Sequence, residues 1–152
     1  MERKYYYLNP GYIFYSEEPY IVETVLGSCI AVCLWDRERR VGAMNHFVFS
    51  DGGKINEQNG KYGNYSTPHL IQIMLEHGSR ISDLQACLAG GANSRIMQMD
   101  VGGRNLRTAK EILNRYKIMI VNEWTGGYRG RKVKFDTLTG NMEVILLNDY
   151  DN

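Results

Sequence analysis

Apolar and polar positions change period several times along the chain. Tyr20 to Val25 and Cys29 to Trp35 are rich in β-branched and other apolar side chains, and Val41 to Phe49 follows the charged break Asp36-Arg37-Glu38-Arg39-Arg40. The last two segments predict a hairpin. Ser50 to Asn64 (SDGGKINEQNGKYGN) has no apolar period and four glycines, which predicts one long surface loop of the kind that often serves as a functional lid. Beyond it a helical period begins: Thr67 is placed to cap, Pro68 to open the first turn, and Leu70, Ile71, Met74 and Leu75 to form one apolar face before Gly78. Leu84 to Ala89 alternates as a strand ending at Gly90-Gly91. Asn105 is then placed to cap a second helix with Leu106, Ala109, Ile112, Leu113 and Tyr116 inward, and Ile118 to Val121 reads as a buried strand. Val133 to Asp136, a turn at Thr137-Leu138-Thr139-Gly140 and Met142 to Leu147 predict a closing hairpin. Hairpins with two helices argue for α+β, the helices packed on a largely antiparallel or mixed sheet.

Composition narrows the function classes. The 152 residues, 43% of them apolar, suit one domain over residues 1–152, with neither repeat nor linker dividing it. Such a chain buries roughly two-thirds of its unfolded surface, so stability asks for no cofactor or metal. Lys plus Arg number 18 against 17 for Asp plus Glu, a net charge of +1, and so no global field favours nucleic acid or anionic lipid. Three cysteines leave an odd thiol under any pairing, which points to a reducing compartment. The basic start Met1-Glu2-Arg3-Lys4 precedes no apolar stretch of secretory length, and no run approaches the roughly 18 apolar residues of a membrane span. A cytoplasmic protein without membrane insertion is expected.

The chemistry concentrates around Leu26-Gly27-Ser28-Cys29, where a thiol follows a glycine between two apolar strands. A tight turn there lets successive backbone N–H groups aim at one spot, as an oxyanion formed on an attacked carbonyl requires, which makes Gly27 and Ser28 candidate oxyanion-binding residues. The competing reading is a small buried thiol, since free cysteine is among the most buried residue types. His46 is the second candidate. A hairpin that pairs Trp35 with Arg40 sets Cys29 opposite His46, with Cβ atoms about 4.5 to 5.5 Å apart. A one-residue slip would turn them to opposite faces, and a core histidine satisfied by backbone is the competing reading. In such a pair the imidazole takes the thiol proton, the thiolate attacks a carbonyl carbon, and the imidazolium protonates the leaving amine. The thiolate is then expected well below the free-thiol value of about 8.5. Thr24 offers a hydroxyl and a carbonyl to orient the ring, against the competing reading that it is a strand-propensity choice.

Thr24-Val25-Leu26-Gly27-Ser28-Cys29-Ile30-Ala31-Val32-Cys33-Leu34-Trp35-Asp36, followed by Val41-Gly42-Ala43-Met44-Asn45-His46-Phe47, resembles the signature of the CheD family of chemoreceptor glutamine deamidases. Further matches run in family order through Lys61-Tyr62-Gly63, Leu88-Ala89-Gly90-Gly91-Ala92, Gly102-Gly103-Arg104-Asn105 and Gly126-Gly127-Tyr128-Arg129-Gly130-Arg131-Lys132-Val133. The resemblance implies a cysteine hydrolase that converts glutamine side chains on the cytoplasmic helices of chemoreceptors to glutamate and releases ammonia. It also implies hydrolysis of glutamyl methyl esters as a second activity. Cys29 would be the nucleophile, His46 the general base and Thr24 the third member. The implied fold is a layered β-sandwich flanked by helices, similar to that of toxin-type glutamine deamidases. A CheC-type phosphatase is an implied partner, and a non-catalytic adaptor that binds receptors or that phosphatase is the alternative function.

The chain departs from the family pattern at Asn93-Ser94-Arg95, where a methionine and a bulky apolar residue are usual, and the 50–64 loop and Tyr5-Tyr6-Tyr7 look individual. A metal site built on Cys29, Cys33 and His46 is disfavoured, because two strand residues four apart stand about 13 Å from one another. His69 and His77 read as surface or cap residues and Cys87 as core. Gly126 to Lys132 lacks the phosphate-loop order, as Val133 follows Lys132, and reads as a basic loop whose Arg129, Arg131 and Lys132 are available to an acidic partner surface.

Overall fold

The apolar run from Ile30 to Asp36 does not alternate because both of its faces are covered. Ile30, Val32 and Leu34 belong to one apolar core, whereas Ala31 and Cys33 belong to another. In the computed structural model, which describes residues 1–51 and 59–151, the strands are β1 (Lys4–Tyr7), β2 (Ile13–Ser16), β3 (Tyr20–Leu26), β4 (Ile30–Asp36), β5 (Val41–Asn45), β6 (Leu84–Gly90), β7 (Met119–Thr125), β8 (Arg129–Asp136) and β9 (Met142–Asp149). The helices are α1 (Gly63–Glu76) and α2 (Val101–Arg115), with a 3₁₀ turn at Ile81–Asp83. One sheet runs β1-β3-β8-β9 and the other β2-β5-β4-β6-β7. Among the strands of the described residues, β1–β3 and β6–β7 pair in parallel and the other pairs are antiparallel. The α+β reading holds, with two mixed sheets packed as a sandwich. Val22, Leu26, Val133 and Phe135 of the first sheet meet Ala31, Cys33, Met44 and Ala89 of the second, whose other face is covered by Leu70, Ile71 and Met74 of α1 and by Ala109, Ile112 and Leu113 of α2.

Several elements differ from their sequence reading. Strands β1 and β2 lie ahead of the predicted ones, since four-residue runs such as Lys4–Tyr7 carry too short a pattern to stand out. Helix α1 starts at Gly63 rather than Pro68, because the carbonyls of Phe49 and Ser50 accept the N–H groups of Gly63 and Asn64 and so replace a side-chain cap. Thr67 is therefore a buried helix residue, Pro68 sits inside the helix, and Leu75 faces solvent beside the stripe Gly63, Ser66, Thr67, Leu70, Ile71 and Met74. The predicted 50–64 loop loses its last two residues to this helix, and its residues 52–58 lie outside the described ones. Asp100, not Asn105, caps α2 by accepting the Gly103 N–H (3.0 Å), and Tyr116 is exposed at the other end. Strand β7 is an edge with Met119 and Val121 exposed, although Ile118 just before it is buried. The closing hairpin β8–β9 forms as predicted.

Candidate active site

The β4–β5 hairpin brings the first two candidates to one face. Its register pairs Asp36 with Val41 and Cys33 with Met44, and beyond an interruption it resumes at Ile30 and Phe47 without a net insertion. This is two residues out of step with the expected pairing, because the connection is Arg37 to Arg40, closed by Arg40 at φ +55°. Cys29 thus stands opposite Val48, and His46 opposite Ala31. A shift of two keeps each side chain on its own face. Cys29, Ala31, Cys33 and Met44 all point into the sandwich, and His46, two residues after Met44, follows them. Cys29 and His46 become diagonal neighbours, with Cα atoms about 7–8 Å apart in such a ladder. The interruption has a local cause: Asn45 Oδ1 accepts the Val32 N–H (2.8 Å), while Asn45 Nδ2 donates to Ser66 Oγ of α1 (3.1 Å).

The third candidate arrives from the other sheet. Thr24 on β3 is fully buried, and its Oγ1 donates to the Leu8 carbonyl (2.7 Å) and lies 2.7 Å from His46 Nδ1. With its one proton committed to Leu8, the hydroxyl oxygen accepts from the ring. Nδ1 therefore carries the proton and Nε2 the lone pair. His46 is 1% exposed, and Nε2 has no partner among the described residues. Burial lowers His46 from 6.5 to about 4. The Cys29 thiol, half-buried, is pushed up to about 11 by the same desolvation. The resting pair is thus a neutral thiol and a neutral imidazole with no hydrogen bond between them. That reverses the expectation of a thiolate below the free-thiol range, because a bare charge in this apolar seat costs more than an exposed one.

The turn before Cys29 is held by its carbonyls. Gly27 O accepts the Ala92 N–H (3.0 Å), Ser28 O accepts Asn105 Nδ2 (2.9 Å), and Cys29 O accepts the Gly91 N–H (2.8 Å). In a trans peptide the N–H points opposite the preceding C=O. The Ser28 and Cys29 N–H groups are thereby turned away from these anchors, and neither has a partner among the described residues beyond the Cys29 sulfur itself. Two adjacent donors beside a thiol, neither committed to another residue among the described ones, can stabilise an oxyanion. Gly27 contributes room instead: a Cβ there would strike the Tyr150 ring. Gly90, at φ +107°, lies against the Cys29 carbonyl, and Gly102 of α2 lies against the carbonyls of Gly91 and Ala92, so the glycine pairs of β6 and α2 meet behind the turn.

Comparison with known proteins bears on this geometry. A family model described as CheD chemotactic sensory transduction matches residues 49–145. The probable chemoreceptor glutamine deamidase CheD of Sulfurimonas denitrificans is 34% identical over 146 residues, 93% of this chain and 94% of that protein. The chain belongs to the CheD family. The chemoreceptor glutamine deamidase CheD of Thermotoga maritima is 35% identical over 137 residues, 90% of this chain and 82% of its own length. The probable chemoreceptor glutamine deamidase CheD 1 of Albidiferax ferrireducens is 38% identical over 140 residues, 91% of this chain, which spans 59% of that longer protein. Thr24, Cys29 and His46 precede the span of the CheD family model, but alignments that take in 90% or more of the chain include them.

Other residues singled out in the sequence have structural surroundings in this CheD chain. Cys33 and Cys87 oppose one another in the β4–β6 ladder as buried free thiols. His69 is exposed beside the Tyr65 hydroxyl (3.0 Å), and His77 caps α1, its Nδ1 2.8 Å from the Ile73 carbonyl. Arg131 is a correction: it is 5% exposed and binds the carbonyls of Trp124 and Gly126, so it is withdrawn from any partner surface. Lys132 lies 3.8 Å from Glu23. Asn93, where the chain departs from the family pattern, accepts the Gly102 N–H (3.0 Å) and donates to Asp100 (2.9 Å), while Arg95 pairs with Asp149 (2.7 Å). Asn45 was missed by sequence reasoning, and Asn105 was read there as a helix cap. Both are polar residues on inward faces otherwise lined by apolar or small residues, and that is the signal that could have found them.

Proposed function

We propose that the chain, as one domain, is a cysteine amidohydrolase that deamidates glutamine side chains on the cytoplasmic helices of bacterial chemoreceptors. The single observation that carries the reading is His46, whose Nδ1 is held by a hydroxyl from the opposite sheet while its buried Nε2, on the face that holds Cys29, has no partner among the described residues. The substrate comes from the relatives' printed activity.

Cys29 Sγ attacks the carboxamide carbon as His46 Nε2 takes the thiol proton. Because burial keeps both groups neutral at rest, the charges form as the S–C bond forms. A thiol that must first swing toward Nε2 is ordinary for a site without substrate, where catalytic hydrogen bonds are commonly long. The oxyanion accepts from the Ser28 and Cys29 N–H groups. Collapse of the tetrahedral intermediate breaks the C–N bond, and His46 gives its proton to the departing ammonia. Water, deprotonated by the same nitrogen, then cleaves the thioester to glutamate and regenerates the thiol. Thr24 keeps the ring in the required tautomer and orientation throughout. The same thioester can form from a glutamyl methyl ester with methanol leaving, which makes esterase activity the second expectation.

Cys29→Ala, a small change at a half-buried position, is expected to abolish ammonia release from a receptor cytoplasmic fragment and to leave the circular dichroism spectrum unchanged. Mass spectrometry of the fragment reads the Gln-to-Glu conversion directly, and conversion by this variant at the wild-type rate would remove the thiol mechanism. The adaptor role, with a CheC-type phosphatase as partner, is compatible with catalysis and is read by co-purification with the same variant.

A further inference from the structure

Asn105 is the polar residue that the reaction above leaves unused. It stands on the inward stripe of α2, one turn before Ala109, and is 1% exposed. Its Nδ2 donates to two carbonyls at once, Ser28 O and Val48 O, each at 2.9 Å. These oxygens belong to the two chain segments that carry Cys29 and His46. Both contacts are acceptors, which identifies the nitrogen of this amide without ambiguity. Its Oδ1 is buried with no partner among the described residues, so the side chain is held by its donor end alone. A buried polar atom left unsatisfied costs about 1–3 kcal/mol, and it persists where the other end of the group does something a smaller or apolar residue would not.

We infer that Asn105 is a positioning residue for the oxyanion site: by holding the Ser28 carbonyl inward it turns the Cys29 N–H outward to the place where the substrate oxygen develops charge. The argument is peptide geometry. The Ser28 C=O and Cys29 N–H share one plane and point in opposite directions, the bond between them being trans like every other among the described residues. Rotating that plane would carry the donor away from the Cys29 sulfur. The neighbouring Gly27–Ser28 and Cys29–Ile30 planes are held by backbone, through the Ala92 and Gly91 N–H groups, and Ile30 is tied to Phe47 in the ladder. Of the planes around the nucleophile, only Ser28–Cys29 relies on a side chain. The second contact, to Val48, joins that plane to the segment following His46, so one amide fixes the donor relative to both reacting groups. This rests on the reading of Cys29 as the nucleophile.

The test separates oxyanion stabilisation from thiol integrity. Amide hydrolysis develops an oxyanion, whereas alkylation of the thiol by iodoacetamide displaces iodide at a saturated carbon and develops none. Wild type and Asn105→Ala are compared for ammonia release from a receptor fragment and for alkylation rate at Cys29, with Cys29→Ala giving the background of both readouts from Cys33 and Cys87. For Asn105→Ala the inference expects kcat to fall between about tenfold and the roughly 10²-fold of deleting an oxyanion donor, with KM and the alkylation rate within about twofold of wild type. Asn105→Ser, which keeps one donor at the same position, takes the place of the alanine variant if the latter fails to fold, with a smaller loss expected in kcat alone. An unchanged kcat, or hydrolysis and alkylation falling in proportion, would overturn the inference and leave the deamidase reading standing. A wild-type protein that releases no ammonia while its thiol alkylates normally would overturn the deamidase reading, and the inference with it.

Discussion

At the scale of single residues, burial and hydrogen bonding act on His46 in different ways. Burial suppresses the charged ring, and Thr24 decides which nitrogen of the neutral ring keeps the lone pair. The first effect has a thermodynamic signature. With a folded value of about 4 against an ordinary 6.5, His46 stays neutral in the folded chain over a range where the unfolded chain takes up a proton. Stability is therefore complete above about pH 6.5 and declines as the pH falls toward 4. The loss from about pH 7 to about pH 5 is on the order of 2 kcal/mol from this residue. Urea unfolding of wild type and His46→Gln at both pH values checks it: the wild type should lose more stability on acidification, and parallel losses would mean that the ring is not buried neutral. Cys29, His46 and Thr24 were each legible as chemistry-bearing residues by type and spacing. Asn105 was misread as a cap because its local sequence suits one, and only the packing of α2 against the Cys29 turn shows where its amide points.

At the scale of elements, the turn between β3 and β4 takes its shape from glycines that are distant in sequence. Gly90 ends β6 at φ +107° with the Cys29 carbonyl against it, whereas Gly126 has a comparable φ of +83° and open space around it. Alanine at either position meets the same backbone penalty, more than about 1 kcal/mol. Only Gly90→Ala also pushes on the peptide of Cys29, the proposed nucleophile. Both variants should lower the melting temperature, and Gly90→Ala alone should reduce ammonia release per folded molecule. Equal activity in the two would show that the turn tolerates displacement. The predicted strands β3 to β6 appeared where the apolar runs are dense, and the two helices where the period is helical. Helix starts were less legible. Those of α1 and α2 depend on acceptors that sequence spacing does not display: two carbonyls of the preceding chain in one case and Asp100 in the other. The hairpin register was missed by two residues, an even slip that left the facing of Cys29 and His46 intact.

At the scale of the whole molecule, the candidate triad spans the sandwich: Thr24 stands on the four-stranded sheet, and Cys29 and His46 are carried by the five-stranded one. The apolar layer between the sheets thus sets the distance between ring and hydroxyl. Phe135, 1% exposed in that layer, packs with Val22, Leu26 and Met44. Phe135→Ala should cost about 3–5 kcal/mol in chemical denaturation. Tryptophan fluorescence from Trp35 on β4 and Trp124 on β7 should follow a single transition together with circular dichroism, and separate transitions would show that the layers unfold independently. With a net charge of +1 and Arg131 turned inward, the molecule as a whole offers no strong field to an acidic partner.

The sequence by itself determined which residue types were available and which stretches would be strand or helix. Apolar period is a local property, and a thiol, an imidazole and a hydroxyl within one short stretch already define a small set of chemistries. Tertiary structure decided how those groups act. The tautomer of His46, the neutral resting state of both partners, the burial of Arg131 and the grip of Asn105 on the Cys29 turn all arise from contacts between segments far apart along the chain, and a one-dimensional pattern holds no record of which buried atom ends beside which.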